Sequence, residues 1–522
     1  MSEPSETSAP PSLGDTAVEG VRWMGIARLV GDAAAFGASL VLARFIAPAE
    51  FGYAAAALSL AAIASNFAAS AFGAPLVQFP TLRRAHVETA MLLSLTAGLT
   101  FVALAPILAA LAVQPLLGTR VADLFLLSIP MIAASAVAAV PRALVQRALD
   151  FRRIAAIEVV GLLGGTAVSV LLATVAGLEG AAIVLGLVTL HVLTLALLLV
   201  YAPWTWPRWG GAAVATSLVR FGGSVGTASV LATVSASIDY VVLSARMSPA
   251  SVGFYWRAFM LGMTYPLKIS NVMLSVALPV YSRASSADEM RRLRLRVMSV
   301  NAAALFPVLV TIMVTAPVLV PWLFGATWEP AVVPTQLLAG AGMAAALITG
   351  TWAYITALGK PQYLPPMNLV AIVGLGGTAY FAAPLGLVGV CACMLGYHLL
   401  FLCVNHFWLL HRVGGIELGD LFRDAVPPLV SCVPLAAAGL ASMRLLEAAD
   451  AASVVVLAVT VPLGLAAYAA TLRLAFPGTW HSLLDVTRRV LARRSSRPRD
   501  LQTSRGEERS PSDPPASRTP VG

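Results

Sequence analysis

Residues 43–53 read ARFIAPAEFGY, and residues 244–254 read SARMSPASVGF. Each copy carries Arg, then Pro-Ala, then Gly followed by an aromatic residue, and Pro48 precedes Gly52 by the same interval as Pro249 precedes Gly253. The surrounding sequence decides what the repeat means. Apolar runs of about 20 residues, enough to cross the hydrocarbon core of a bilayer, recur from about Val18 to about Phe476. Of the 522 residues, 58% are hydrophobic and only 11% charged, with a mean hydropathy of +0.83; an ordinary soluble domain is about 25% charged. The chain reads as an all-α polytopic membrane protein, because membrane barrels use alternating strands of about 10 residues instead.

Cutting at loop signals predicts about fourteen transmembrane helices, an even number that puts both tails on one side. Alternate loops hold the arginines: Arg83 and Arg84, then Arg142, Arg147, Arg152 and Arg153, then Arg208, then the group from Arg283 to Arg296, then Arg412 and Arg423. The opposite loops hold only Arg44, Arg120, Arg246 and Arg444, so the positive-inside rule predicts that both termini are cytoplasmic. The two copies of the repeat lie at the ends of the first and seventh predicted spans. The repeating unit is then a six-helix bundle, and an even unit enters the membrane twice in the same direction. Two pseudo-symmetric lobes related by an axis along the membrane normal, with a cavity between them, are expected. In each copy, Pro and Gly read as shaping a tight external turn.

The predicted organisation is a disordered acidic cytoplasmic tail (1–17), an N-terminal six-helix lobe (18–203), a cytoplasmic linker (204–215), a C-terminal six-helix lobe (216–411), an extra helix pair (412–475) and a basic, Ser/Pro-rich cytoplasmic tail (476–522). The formal net charge of +9 resides in loops and tail and forms no basic face with interleaved aromatics, so no nucleic-acid partner is expected. Cys391, Cys393, Cys403 and Cys432 all lie in apolar runs without ligand spacing and read as small core residues. The six histidines are scattered. No metal or other cofactor is expected, and no interspan segment is long enough for a soluble catalytic domain.

Four stretches resemble a known family: LARFIAPAEFGYAAAALSL from Leu42, FGAPLVQFPTLRRAHVETAMLLSL from Phe72, ALVQRALDFRRIAAIE from Ala143, and VGFYWRAFMLGMTYPLKISNVMLSVALPVYSRA from Val252. They are similar to the Wzx-like polysaccharide flippases of the multidrug/oligosaccharidyl-lipid/polysaccharide exporter superfamily. The resemblance covers the first eight predicted spans; the remainder matches only in pattern and length. It implies a V-shaped pair of lobes in the bacterial inner membrane that open alternately to the two sides. A polyprenyl-diphosphate-linked oligosaccharide would cross with its head group in a cationic cavity and its lipid tail in or near the bilayer. Polysaccharide polymerase and other assembly proteins are the protein partners such a role implies.

Charges inside spans are costly, about 2.5 to 3.5 kcal/mol each at a helix centre, which makes them candidates for function. Arg257, Thr264, Lys268, Asn271 and Ser275 share one face of an otherwise apolar helix, and Pro266 within it is expected to kink that helix. Arg257 and Lys268 are candidates for binding diphosphate, Arg through its planar fork and Lys as a mobile point charge. The competing reading has Arg257 snorkelling to the surface and Lys268 pairing with a carboxylate. Arg28 and Asp32, four apart, can pair on one face of the first span, with Ser39 extending it. Asn66 shares a face with Ser59 and Ser70. Asp239 can pair with Arg257 or Lys268, or serve as a proton- or cation-coupling site. A drug/cation antiporter of the same superfamily and a membrane-embedded polymerase or glycosyltransferase remain the alternative functions.

Overall fold

The computed structural model describes residues 13–274, 277, 281, 284–417 and 419–492. Among these the regular structure is helical throughout. Helices α1 (Leu13–Phe45), α2 (Pro48–Gln78), α3 (Arg84–Leu117), α4 (Thr119–Arg147), α5 (Phe151–Thr174) and α6 (Glu179–Tyr201) make up the first half. The second half begins with α7 (Ala212–Ser235), α8 (Ile238–Arg246) and α9 (Pro249–Phe259), and a π-helical turn at Met260–Thr264 leads into α10 (Tyr265–Leu274). There follow α11 (Ala287–Phe324), α12 (Ala326–Ala357), α13 (Leu364–Ala382), α14 (Gly386–Val404), α15 (Asp420–Ala448), α16 (Ser453–Ala475) and α17 (Pro477–Ala492).

Local chemistry sets the helix starts. Pro48 and Pro249 each occupy the first turn of their helices, where a missing N–H costs nothing, after an extended Ala47 and an extended Ser248. Ser248 also caps α9 by accepting from the Ser251 amide at 3.3 Å. The repeated Pro-Ala is therefore a helix-start signal, and each copy lies in a helix rather than in a turn.

Among the described residues, nine helices are long and apolar enough to cross a membrane, or up to eleven when the two bent pairs each count as one span. This is fewer than the fourteen expected, for physical reasons. The stretch Pro361–Val413 counts once although it has 53 residues, roughly 80 Å of helix against a hydrocarbon core of about 30 Å. Within it the chain turns at Gly386, whose φ of +75° favours glycine, and α13 packs against α14. Helix α1 carries Arg28, Asp32 and Arg44, and the stretch after α10 runs into residues outside the described set.

Two observations concern the expected tails. Helix α1 begins at Leu13, inside the expected tail. The expected basic, Ser/Pro-rich tail from 476 starts with a helix, α17, as far as Ala492; the remainder lies outside the described residues. Near the N-terminal end of α11, Arg291 clamps the turn between α14 and α15. Its Nε and Nη2 donate to the Asp420 carboxylate at 2.7 and 3.0 Å, and its Nη1 donates to Glu417 at 2.7 Å. That bond to Arg291 holds the Glu417 carboxyl below its ordinary range.

Between lipid-facing helices apolar burial provides little drive, and close backbone approach takes its place. Gly52 of α2 and Gly253 of α9 show this most directly. A β-carbon on Gly52 would overlap the Pro249 carbonyl oxygen, and one on Gly253 would overlap the Pro48 carbonyl oxygen. The contact is reciprocal, so the two copies of the repeat pack on each other about a local two-fold axis. One buried cluster extends through this crossing and joins Phe51 and Leu42 of the first half to Leu261, Val320, Phe324 and Trp328 of the second.

Candidate functional site

The polar residues of the second repeat meet those of the first along a seam beside this crossing. Arg257 Nη1 donates to Ser39 Oγ of α1 at 2.6 Å. About three turns further along, Lys268 Nζ lies 2.5 Å from Asp32 Oδ1 of the same helix. Tyr265, between them, packs edge-on against Phe36 of α1 with ring centres 5.2 Å apart. Among the described residues, the seam thus holds two cations and one anion.

Arg257 is 2% exposed. Its guanidinium carbon stands 4.5 Å from the ring centres of Phe51 and Phe324 and 4.9 Å from that of Trp328. A cation over aromatic faces gains about 0.5 to 2 kcal/mol each way this is arranged, which offsets part of its desolvation. Its Nε and Nη2 have no hydrogen-bond partner among the described residues. The side chain borders an internal cavity of about 220 Å³, together with Ser39, Thr166, Ser169 and Tyr265. Snorkelling is thereby ruled out for Arg257: the charge points inward, fenced by aromatic rings.

Lys268 pairs with a carboxylate, and that carboxylate comes from the other half of the molecule. Asp32 is engaged by Lys268; the side chain of Arg28 lies outside the described residues, as does Ser275. Asn271 is exposed, about one turn beyond Lys268. The backbone irregularity expected at Pro266 appears instead as the π-helical turn Met260–Thr264 just before it, a common way of re-aiming side chains at functional sites. Asp239 pairs with neither Arg257 nor Lys268. It is fully buried and accepts from Tyr255 Oη at 2.7 Å through Oδ2, while Oδ1 has no partner among the described residues.

On the seam's other flank, Asn66 and Ser70 of α2 meet Ser229 of α7. Ser70 Oγ donates to Ser229 Oγ at 2.9 Å, and Ser229 Oγ donates to Asn66 Oδ1 at 3.3 Å. These residues border a second cavity of about 640 Å³ that also holds Gln146, His191 and the ion-paired Arg142 and Glu158.

Comparison with known proteins turns on the first two-thirds of the chain, where this seam is built. The profile of a family described as "Polysaccharide biosynthesis protein" matches residues 41–333, more than half the sequence. The chain belongs to that family. Over 342 residues it is 26% identical to the lipopolysaccharide biosynthesis protein WzxC of Escherichia coli (strain K12), covering 64% of this chain and 68% of that protein. Over 300 residues it is 25% identical to an uncharacterized membrane protein in the cps region of Klebsiella pneumoniae, covering 56% of this chain and 61% of that one. Among solved structures, the lipid II flippase MurJ in an inward closed conformation matches with a TM-score of 0.66 at 12% identity, over 90% of this chain and 99% of that one. An inward-facing multidrug resistance MATE family transporter of the MOP superfamily matches with a TM-score of 0.58 at 15% identity, over 72% and 94%. At such identities the likeness is one of fold.

Several parts of the site carry no signal in the sequence. The Arg257 cage draws Phe51, Phe324 and Trp328 from three other helices, and no periodicity links them. Arg142 was placed in a loop because it sits among other arginines, but α4 runs on to Arg147 and puts Arg142 on the cavity wall opposite Glu158 of α5. Of the four cysteines, Cys391 and Cys432 are buried as expected, whereas Cys393 is half-buried and Cys403 is exposed.

Proposed function

We propose that this protein is a flippase that carries a polyprenyl-diphosphate-linked oligosaccharide from the cytoplasmic to the outer leaflet for surface polysaccharide synthesis. In this reading the helices make two six-helix lobes and an extra pair, fourteen crossings in all, with both termini cytoplasmic, and the lobes open alternately around the seam. The observation that carries it is the Arg257 guanidinium, enclosed at the junction of the two repeats with two of its nitrogens lacking hydrogen-bond partners. Those nitrogens form the fork that suits phosphate oxygens. Lys268, held by Asp32, is a second cation that a diphosphate can recruit by competing with the carboxylate, while Asn271, one turn beyond it, adds a neutral amide donor and Arg28 remains a candidate cation by its place in the sequence. The hydroxyl- and amide-lined cavity at Asn66 offers partners for sugar hydroxyls. Membership of a polysaccharide biosynthesis family and a fold like that of MurJ both support this choice.

The test is a complementation assay in a strain whose surface polysaccharide depends on this protein. Hydrogen bonds to charged groups are worth about 1.5 to 3 kcal/mol. Arg257→Ala and Lys268→Ala should therefore each slow export by roughly tenfold or more and cause the lipid-linked unit to accumulate on the cytoplasmic face. Wild-type levels of polysaccharide from the double variant at normal expression would refute the assignment.

A second reading, a cation-coupled antiporter for cationic compounds, has one observation in its favour: the buried Asp239 with one oxygen free of partners. Energised efflux of a cationic dye that is lost in Asp239→Asn would support it. Within the flippase reading, the same carboxylate is the candidate for coupling to protons or cations.

A further inference from the structure

The last crossing and the helix after it carry a feature that the flippase reading leaves unused. Helix α16 ends at Ala475 and α17 starts at Pro477, so α17 is held at the bilayer surface whichever way the chain faces. Its pattern is amphipathic. Trp480 and Leu483, with Phe476 before them, pack on the core shared by α11, α12, α15 and α16. His481, Asp485 and Arg488, spaced four and three apart, share the opposite face. Together with Arg473 of α16, Trp480 and Leu484, they line a hollow of about 500 Å³.

The charges in this hollow do not cancel. Asp485 is engaged by Arg296 of α11 at 3.2 Å, whereas Arg473 and Arg488 are exposed and form no ion pair among the described residues. The hollow is thus a basic recess with the Trp480 indole and Leu484 on its wall. Arginine with tryptophan at the end of a membrane span is the combination that meets the headgroup layer.

We propose that this hollow binds the headgroup phosphate of an anionic membrane phospholipid. Arg473 and Arg488 take the phosphate, and Trp480 lies at the boundary with the acyl chains. A soluble anion would satisfy the arginines alone; the apolar rim favours a ligand that brings hydrocarbon with it. Through Arg296 and Asp485, a bound lipid would also brace α11, whose far end supplies Phe324 to the Arg257 cage.

The test uses the full-length protein in neutral detergent and reads thermal unfolding as phosphatidylglycerol, phosphatidylcholine or inorganic phosphate is added. Phosphatidylglycerol should raise Tm in a saturable, salt-sensitive manner, with little effect from the other two. Each basic residue near an anionic surface contributes about 1 kcal/mol, so Arg473→Ala/Arg488→Ala should weaken apparent affinity on the order of tenfold. Arg473→Lys/Arg488→Lys should retain most of it, and Asp485→Asn, which frees Arg296, should tighten it. Equal stabilisation by phosphatidylcholine or by phosphate, or unchanged affinity in the alanine pair, would overturn the proposal. Should the alanine pair fail to fold, an Asp485→Asn variant with no gain in affinity would do the same.

Discussion

At the residue scale, the protein concentrates its cost at Arg257. A guanidinium that is 2% exposed and has two unbonded nitrogens is a poor contribution to stability, since replacing buried charges by apolar groups of similar size is often neutral or stabilising by about 1 to 4 kcal/mol. Arg257→Met should therefore keep or raise Tm in detergent, because a flexible thioether fits among Phe51, Phe324 and Trp328. Arg257→Ala should lower Tm by leaving a void within the same rings. Both should lose export. A clear drop in Tm for the Met variant would mean that the charge supports the fold rather than the substrate. The sequence made Arg257 and Lys268 legible, because a polar stripe at helical spacing stands out on an apolar background. The cage was not legible: Phe51, Phe324 and Trp328 are ordinary apolar residues in their own helices, and only tertiary packing brings them to the cation. The partner of Asp239, Tyr255, was hidden for a related reason, since sequence shows that an acid is buried but not which way it points.

At the element scale, the repeat was visible as spacing, and its physical meaning lies in a helix crossing. The Pro residues start α2 and α9, and four residues later each helix presents a glycine to the other's first turn. The chain thus marks the point at which the two halves touch backbone to backbone. Gly52→Ala or Gly253→Ala would drive a methyl into a carbonyl oxygen that belongs to a helix and has little room to yield. Overpacking of this kind costs about 1 to 3 kcal/mol. Gly37 in α1 supplies the contrast, since a β-carbon there meets nothing within 4 Å; Gly37→Ala should be neutral, or stabilising by up to about 1 kcal/mol from helix propensity. Thermal unfolding of the three variants side by side checks the prediction, and equal Tm values would mean that the crossing is loose. The irregular turn near Pro266 was anticipated in the sequence only as a kink. Whether a strained helix bends at the proline or absorbs an extra residue as a π-turn depends on its neighbours, here Gly262 packed against Leu338 and Ala339 of α12.

At the scale of the whole molecule, α2 is tied to the second half at two depths. Gly52 meets Pro249 and Gly253, and Ser70 meets Ser229 of α7. Eighteen residues separate these contacts along α2, up to about 27 Å of helix, which is close to the thickness of the hydrocarbon core. Helix α2 also bends by 40° between Phe67 and Phe72, beside the Asn66, Ser70 and Ser229 contact. A carrier that opens alternately to its two sides must break one of these contacts in each half of its cycle, and the one held by side chains beside a bend separates more readily than a backbone crossing. A Ser70→Cys/Ser229→Cys variant tests this. The two oxygens lie 2.9 Å apart, so two sulfurs in their places need only a small rotation to reach a bond of about 2.05 Å. Cys393 and Cys403, the half-buried and exposed thiols, are first replaced by serine so that the new pair is the reactive one. Oxidation should then stop export while leaving the protein inserted and folded, and reduction should restore it. If export continues at the full rate with the disulfide formed, as scored by intramolecular cross-linking on a gel, α2 and α7 travel together and the opening occurs elsewhere in the seam.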